Sequence, residues 1–194
     1  MSSFNLLQIL PALKSGGVER GVVDLSNHFS QKKIINHIIS SGGGMEKELD
    51  FNYSMHQKMN VNSKFFLNYP FIAYQINKYI HDKNINIVHV RSRGPAWITN
   101  LIRNTKIKKV ATFHNIYNSN SIIKKIYNKG MSKMDFLIAN SNYVKNEIIK
   151  KYNLHDREIK VINRGIDTDF FHDDINEKSI QELRNKYKIN QNKK

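Results

Sequence analysis

The chain of 194 residues contains no cysteine, three prolines and nine glycines. Without cysteine it can form no disulfide and no thiolate metal site, so nothing favours an oxidising compartment and we expect a cytoplasmic protein. Long apolar runs are missing as well. No stretch approaches the ~20 apolar residues that span a bilayer, and the first ten residues lack the features of a signal peptide. The composition predicts a protein that is soluble or rests on a membrane surface.

Acidic residues are scarce, with 16 Asp and Glu against 31 Lys and Arg, and the net charge is +15. Residues 57–134 carry 14 basic side chains and a single acid, Asp82, so one face or lip of the protein is expected to be strongly positive. A nucleic-acid binder is disfavoured. The basic residues are 24 Lys and only 7 Arg, whereas base readout favours Arg, and no stacking motif is recognisable.

Short β-branched segments alternate with segments of helical period, which predicts a parallel sheet with crossover helices. Most of the candidate strands are apolar throughout, as strands covered on both faces must be. We therefore predict a Rossmann-like, doubly wound α/β domain of about seven strands. The candidate strands are Phe4–Leu10, Ile34–Ser40, Lys64–Leu67, Ile85–Arg91, Lys109–His114, Phe136–Asn140 and Ile159–Asn163.

This domain is expected to cover residues 1–171. Residues 172–194 form a polar tail with one weak helical pattern, made by Ile180, Leu183 and Tyr187, and they have no apolar material for another core. The tail is interpreted either as a linker or frayed helix, or as a connector into a domain carried elsewhere.

In an open α/β sheet, ligands bind beyond the carboxyl ends of the strands, so the residues that follow each strand are the candidate site. After the first strand, Gly16 and Gly17 precede a helix that contains Arg20. Such a turn lets backbone N–H groups approach a phosphate or a sugar hydroxyl, although a simple tight turn is the alternative. The dinucleotide fingerprint G-x-G-x-x-G is absent, and glycines 42–44 stand where an acid would follow the second strand. A nicotinamide dehydrogenase is therefore disfavoured.

After the fourth strand come Arg91, Arg93 and Trp97. Arg binds carboxylate or phosphate bidentately and Trp can pack against a sugar or an acyl chain. A solvated loop with Trp97 packed inward is an equal alternative. His114 ends the fifth strand and is expected to project into the cleft, with a catalytic role or a structural hydrogen bond.

Ser141 follows the sixth strand and is interpreted as a helix N-cap. After the seventh strand, Asp167 and Asp169 resemble a D-x-D metal clamp, with His172 and two further acids nearby. A metal site is disfavoured because the pair follows a glycine turn instead of ending an apolar strand.

Residues 120–133 predict a basic amphipathic helix in which three isoleucines and Tyr127 alternate with four lysines. Lysines near an anionic bilayer contribute about 1 kcal/mol each, so the segment could dock reversibly on a membrane. The alternative is an ordinary outer helix with a solvated lysine face.

Taken in order, these segments resemble the N-terminal domain of family 4 glycosyltransferases of the kind that build bacterial lipopolysaccharide and capsule. The resemblance covers residues 4–171. It rests on the opening strand with Gly16-Gly17-Val18-Glu19-Arg20, on residues 87–93, 111–114 and 138–141, and on residues 161–167 with Phe171.

The resemblance implies one of two facing Rossmann-like domains, the GT-B fold, with sugar transfer from a nucleotide donor in the cleft between them. It further implies retention of anomeric configuration and no metal or other cofactor. Gly16, Gly17 and Arg20 would approach the donor diphosphate and sugar, and His114 would hold the donor sugar where positive charge develops. Arg91, Arg93 and Trp97 would lie on the acceptor side. Arg164 and Gly165 would begin the hinge, with Gly165 in a turn of positive φ.

The second domain of such enzymes supplies most of the nucleotide site, and this sequence contains nothing that matches it. Because the loss of charge-stabilising groups raises a barrier by several kcal/mol each, residues 1–194 alone are expected to be nearly inactive. We expect either an interrupted reading frame or a separate polypeptide that completes the site. The alternative function is a non-catalytic module that binds a membrane surface or a partner.

Overall fold

In the computed structural model the chain is described over residues 4–63, 65–103, 106–118, 121–155, 157–166, 168 and 176–189. It contains seven strands and six α-helices within these residues. The strands are β1 Leu6–Ile9, β2 Asn36–Ser40, β3 Ser54–Lys58, β4 Ile87–Val90, β5 Lys108–Phe113, β6 Phe136–Ala139 and β7 Ile159–Val161. The helices are α1 Gly17–Gln31, α2 Tyr69–Asp82, α3 Arg93–Asn100, α4 Ile122–Asn128, α5 Asn142–Tyr152 and α6 Glu177–Tyr187.

All seven strands form one parallel sheet in the order β3-β2-β1-β4-β5-β6-β7. The predicted Rossmann-like α/β fold is confirmed. β1 is an interior strand of the sheet, and the chain adds two strands on one side of it and then four on the other. The point where this direction reverses, between β1 and β4, is where such sheets leave a crevice at their carboxyl edge.

Two apolar layers cover the two faces of the sheet. The larger layer contains Ile76 of α2, Ile98 of α3 and Ile148 of α5, packed against alternate residues of the central strands. The smaller layer contains Val22 and Val23 of α1 with other buried side chains of the first third of the chain. All residues of β1 and β2 are buried. β1 is apolar except for Gln8, as a strand covered on both faces is expected to be, whereas β2 has only Ile38 and Ile39 as apolar residues.

Local sequence signals explain where several helices begin. Ser141 Oγ accepts a hydrogen bond from the Val144 N–H at 3.2 Å, so the predicted N-cap of α5 is confirmed. Ser121 caps α4 in the same way through the Lys124 N–H. Pro70 lies in the first turn of α2, where its missing N–H leaves no helical hydrogen bond unmade.

The prediction of a strand at Lys64–Leu67 is wrong. Lys64 lies outside the described residues, and Phe66–Asn68 forms a 3₁₀ helix with no buried side chain. The strand that fills this place is β3, at the edge of the sheet beside β2. Its residues Met55 to Lys58 are at least partly exposed and mostly polar, so they lack the apolar run that marks a central strand.

By contact density the chain divides into two compact units, Met1–Asn163 and Arg164–Lys194. The second unit contains α6, which covers the weak helical pattern of the tail and has no buried residue. Within the described residues, no helix combines the length and the hydropathy needed to cross a bilayer.

Candidate active site at the carboxyl edge of the sheet

The first element of the candidate site is the turn between β1 and α1. Gly16 has φ 131°, a conformation that side chains disfavour, and α1 begins at the next residue. The Glu19 carboxylate lies beside it, since a Cβ added to Gly16 would stand 2.9 Å from Glu19 Oε2. An anion that approaches this helix N-terminus therefore meets the helix dipole and one carboxylate together.

Arg20, predicted to bind the donor, points along α1 toward the 3₁₀ helix Gly44–Glu48. Its Nη2 lies 2.5 Å from Glu48 Oε2, and its Nη1 lies 3.5 Å from Asp24 Oδ1. The hydrogen bond with Glu48 raises the pKa of Arg20. Arg20 is half-exposed in these ion pairs, so its charge is already partly balanced within the protein.

The loop after β2 holds the loop after β1 in place. Leu13 N–H donates to the Gly42 carbonyl at 2.9 Å, and Met45 N–H donates to the Leu13 carbonyl at 2.8 Å. The approach is closest at Gly43, where an added Cβ would lie 2.3 Å from the Leu13 carbonyl oxygen. Sequence reasoning used glycines 42–44 only to exclude a dinucleotide site and missed this role, for which the run of three glycines was the available signal.

A cluster of polar side chains contacts the glycine loop that follows β2. Glu46 Oε1 accepts from the Gly43 N–H at 2.6 Å, and its Oε2 lies 3.0 Å from Lys58 Nζ and 3.3 Å from His56 Nδ1. The hydrogen bond from Gly43, followed by the nearby cations, lowers the pKa of Glu46. Burial lowers the pKa of His56, although Glu46 opposes that shift. No sequence motif pointed to this cluster, because its members are distributed over β3 and the loop before it.

On the other side of the switch point, Arg91 is buried. Its backbone N–H donates to the Ile9 carbonyl at 3.0 Å, and its Nη2 donates to Gln8 Oε1 at 2.7 Å. Gln8 in turn donates from Nε2 to Ser26 Oγ of α1 at 3.0 Å. Arg91 thus joins β4 to β1 across the crevice floor, and its acceptor-side role stays a prediction.

His114 follows β5 directly and is half-buried, with its carbonyl accepting from Asn140 Nδ2 at 3.0 Å. His89 lies one strand away, paired in register with Gln8, and its Nε2 lies 2.7 Å from Thr112 Oγ1. Burial lowers the pKa of His89 well below its ordinary value of 6.5, and the charges of Arg91 and His114 lower it further.

These polar residues share one face of the sheet. Side chains alternate between faces along a strand, so His89 and Arg91 lie on one face of β4, and Thr112 and His114 lie on one face of β5. The sequence signal is the alternation of polar and apolar residues in two otherwise apolar strands. Only Arg91 and His114 were singled out from it, and His89 was missed.

Arg93 and Trp97 lie on α3 and are held by α4 and the turn that follows it. Arg93 Nη1 donates to Asn128 Oδ1 at 2.6 Å, and its guanidinium lies over the rings of Tyr117, at 4.1 Å, and Tyr127, at 5.2 Å. Trp97 Nε1 donates to the Tyr127 carbonyl at 2.8 Å, and the ring packs against the core. A Trp97 platform for a ligand stays a prediction.

A cavity of about 400 Å³ opens beside Arg93. It is lined by Pro11 after β1, by residues 92–95 after β4, and by aromatic side chains from the segment before α2 and from α4. Burial raises the pKa of Tyr69, one of these aromatic residues, to about 12, and its hydroxyl donates to the Ser63 carbonyl at 3.3 Å. The cavity therefore combines aromatic surface with a cation and backbone groups.

The remaining predicted residues lie in or near the second unit. Arg164 and Gly165 are exposed at its start. The prediction that Gly165 has a positive φ is wrong: the glycines with positive φ in the described chain are Gly16, Gly42 and Gly43, and a Cβ at Gly165 would meet no atom within 4 Å. The hinge role itself stays a prediction. Asp167, Asp169 and His172 lie outside the described residues, and among those described no cluster of His, Asp or Glu could hold a metal ion.

Known proteins share the fold of this chain. The model of Glycosyltransferase Family 4 matches residues 15–170. Comparison with curated protein sequences gives no match.

Among solved structures, the chain is similar to a glycosyltransferase from Rickettsia africae, with 36% identity, a TM-score of 0.79 and coverage of 99% of this chain and 51% of that one. It shares the fold of HepE from Anabaena, solved with UDP and glucose, at 14% identity and a TM-score of 0.73, covering 94% of this chain and 50% of that one. It also shares the fold of the lipopolysaccharide outer core galactosyltransferase WaaB, at 16% identity and a TM-score of 0.59, covering 84% and 46%. The chain thus spans about half the length of these proteins.

Proposed function

The chain belongs to glycosyltransferase family 4, and from that premise we propose that it forms one wall of a crevice in which a sugar passes from a nucleotide-sugar donor to a glycan or lipid acceptor of the cell envelope. The observation that carries the proposal is the placement of Gly16, Arg91 and His114 after β1, β4 and β5, which are neighbours in the sheet. Their carboxyl ends share one edge, at the switch point where α/β sheets bind ligands.

The two sides of this edge support different roles. The turn at Gly16 and Gly17 brings a helix N-terminus to the crevice, which suits a donor diphosphate. His114 lies next to the buried His89 and Arg91, which supports a role for it in contacting the donor sugar. The 400 Å³ cavity beside Arg93, with its aromatic walls, suits an acceptor that presents an anionic group and apolar or sugar surface.

We assign the reaction as transfer with retention of configuration and without a metal ion, as the resemblance to the family implies. We also infer that residues 1–194 need a second wall, provided by further chain or by a separate polypeptide, because the relatives with the same fold are about twice as long. The proposed location is the cytoplasm or the inner face of the membrane, where nucleotide sugars are made available to envelope acceptors.

A complementation assay tests the proposal. Residues 1–194 would be incubated with labelled UDP-glucose and other nucleotide sugars, with a membrane-lipid extract as acceptor, and with or without the second domain of the Rickettsia africae relative. We expect sugar incorporation only with both polypeptides, and a product whose anomeric configuration by NMR equals that of the donor.

The His114→Ala variant is expected to lower the kcat of the reconstituted pair by about 100-fold or more, because a preorganised group next to developing charge is removed. His28→Ala is the matched control, since His28 is exposed in the last turn of α1. No transfer by a pair that demonstrably associates would contradict the proposal and would favour the non-catalytic binding module.

A further inference from the structure

The segment before and within the first turns of α2 exposes an unusual amount of apolar surface. Five large apolar side chains, Phe65, Phe66, Leu67, Phe71 and Tyr74, lie within ten residues and are more than half exposed. Leu67 reaches 78% exposure. The buried side chains of α2, such as Ile72 and Ile76, point the other way into the core, so this exposure is not a loss of packing by the helix. A soluble protein rarely exposes such a cluster unless it binds something.

Helix α4 has the same character. Ile122, Ile123 and Ile126 are exposed by 75%, 79% and 56%. Ile126 lies four residues after Ile122 and three after Ile123, so it neighbours both of them on the surface of the helix. The buried side of α4 is instead provided by Asn128, with Tyr127 half-buried. The isoleucines that the sequence pattern would place against a core therefore face solvent.

The two segments meet. The rings of Phe66 and Tyr127 lie edge to face with centroids 5.9 Å apart, and Phe66 also contacts Tyr69 at 5.2 Å. We call the exposed apolar side chains of residues 65–74 and 122–126 together the apolar ledge. Phe66, Tyr69 and Tyr127 also line the 400 Å³ cavity, so the apolar ledge borders the mouth of that cavity.

Exposed lysines lie on the same helices as the apolar ledge. Lys124, Lys125 and Lys129 are exposed on and beside α4, and Lys78 is exposed on α2. Between residues 57 and 134 the only acid is Asp82, at the end of α2. Exposed aliphatic and aromatic side chains next to lysines are the combination that binds the interface of an anionic bilayer.

We propose that the apolar ledge docks this protein on an anionic lipid bilayer, with the isoleucines of α4 and the apolar side chains before and within the first turns of α2 inserted at the headgroup level. A second copy of the chain fits less well, because a symmetric contact would bring two clusters of lysines together without acids to balance them. One consequence rests on the proposed function: the cavity would open at the lipid surface, and its acceptor would be a lipid-linked glycan or a glycolipid.

Vesicle co-sedimentation of the whole chain tests the docking. Vesicles would contain phosphatidylcholine alone or with 30% phosphatidylglycerol, chosen as the anionic lipid. We expect binding to the anionic vesicles that is at least ten times tighter than to the neutral ones, and a marked loss of that binding in high salt. The Phe71→Ser/Ile123→Ser variant should bind about 30-fold more weakly, and Lys124→Gln/Lys125→Gln by a similar factor.

Matched control variants can be made at the amino ends of β2 and β3. Phe51→Ser/Ile35→Ser removes the same two residue types from exposed positions before β3 and β2, and Lys32→Gln/Lys47→Gln removes two exposed lysines elsewhere. These variants should bind the vesicles as the unmodified chain does. Circular dichroism of every variant checks that the fold is kept.

Equal binding to both kinds of vesicle, no binding at all, or equal losses in the test and control variants would each overturn the inference. So would analytical ultracentrifugation that shows a dimer broken by Phe71→Ser/Ile123→Ser, since the apolar ledge would then be an interface between copies. The proposed function is separable, because sugar transfer to a detergent-dissolved acceptor does not require docking. Transfer without vesicle binding would refute the docking alone, and vesicle binding without transfer would refute only the enzymatic role and the conclusion about the acceptor.

Discussion

The two halves of the carboxyl edge are built in different ways. After β1 and β2, the loops are positioned by backbone: Leu13 exchanges hydrogen bonds with Gly42 and Met45, and Gly43 lets two main chains approach where no side chain would fit. After β4 and β5, the site is positioned by buried side chains, with Arg91 bound to Gln8 and His89 to Thr112. The half after β1 and β2 depends on the room that glycine leaves for two main chains to approach. The half after β4 and β5 depends on hydrogen bonds and charges of buried side chains.

The difference determines what each half tolerates. A loop that depends on close contact between main chains cannot accept an added methyl group. A half built from buried polar side chains accepts changes of shape more easily but is destabilised when a donor loses its acceptor or a buried imidazole must take up a proton. Four measurements test this contrast, and they are ordered by the size of the effect that we expect.

The largest effect is expected from Gly43→Ala. The new Cβ would lie 2.3 Å from the Leu13 carbonyl oxygen, and φ at Gly43 is 153°, so the loops after β1 and β2 must separate. We expect the free energy of unfolding in urea to fall by about 3 kcal/mol. Gly21→Ala is the control: Gly21 lies inside α1 with no atom within 4 Å of an added Cβ, and the change should stabilise by up to about 1 kcal/mol.

The second measurement addresses the polar half. Gln8→Ala removes the acceptor of Arg91 Nη2 and the donor to Ser26 from a fully buried position, and should lower the free energy of unfolding by about 2 to 3 kcal/mol. Gln75→Ala, at an exposed position of α2, should change it by less than about 0.5 kcal/mol. Equal effects of the two substitutions would show that the buried network contributes nothing to stability.

The third measurement is the pH dependence of stability. In the folded protein the pKa of His89 lies well below its ordinary value of 6.5, so below that pH the unfolded chain binds a proton that the folded chain does not. The contribution is fully present above pH 6.5 and is lost as the pH falls toward the folded pKa, by at most about 1.4 kcal/mol per pH unit.

Urea unfolding between pH 7.5 and 5 should therefore show decreasing stability, and His89→Gln should remove most of the slope. His37 and His56 also have lowered pKa values through burial and contribute in the same direction. His56→Gln, in the glycine-built half, should reduce the slope less, because Glu46 offsets part of the shift. A larger effect of His56→Gln would reverse the proposed contrast between the halves.

The smallest effect is expected at the outer end of the polar half. Ser141→Ala removes the N-cap of α5 and should cost about 1 kcal/mol in thermal or urea unfolding. Ser15→Ala, at an exposed position before α1, is the control and should stay within about 0.5 kcal/mol. If Ser15→Ala destabilises as much as Ser141→Ala, the turn before α1 depends on side chains as well as on backbone.

The spacing of apolar residues along the chain predicted much of the fold, because strands and helices each have their own period. Six of the seven strands were found within a few residues of their ends, since their segments contain short apolar runs of the kind that a strand covered on both faces requires. β3 was missed for the opposite reason: an edge strand with polar, partly exposed residues leaves no such run. The apolar residues at 65–67 imitated a strand, yet they are exposed in the structure.

The candidate site was predicted in outline and not in detail. Residues after each strand could be named from the sequence, because parallel strands bring their carboxyl ends to one edge. The partners of those residues could not. Gln8 contacts Arg91 across 83 positions of the chain, and Glu46 reaches both His56 and Gly43, and no local period carries such information.

Neighbouring residues were enough to predict the alternation of strands and helices, the family, and the polar and glycine residues that follow the strands, because each of these is a local pattern. The fold was needed to establish the order of the strands, the burial of Arg91 and His89, and the exposure of Leu67 and the isoleucines of α4. Burial is a property of the contacts between distant segments, so an apolar side chain becomes core or surface according to what the fold places over it.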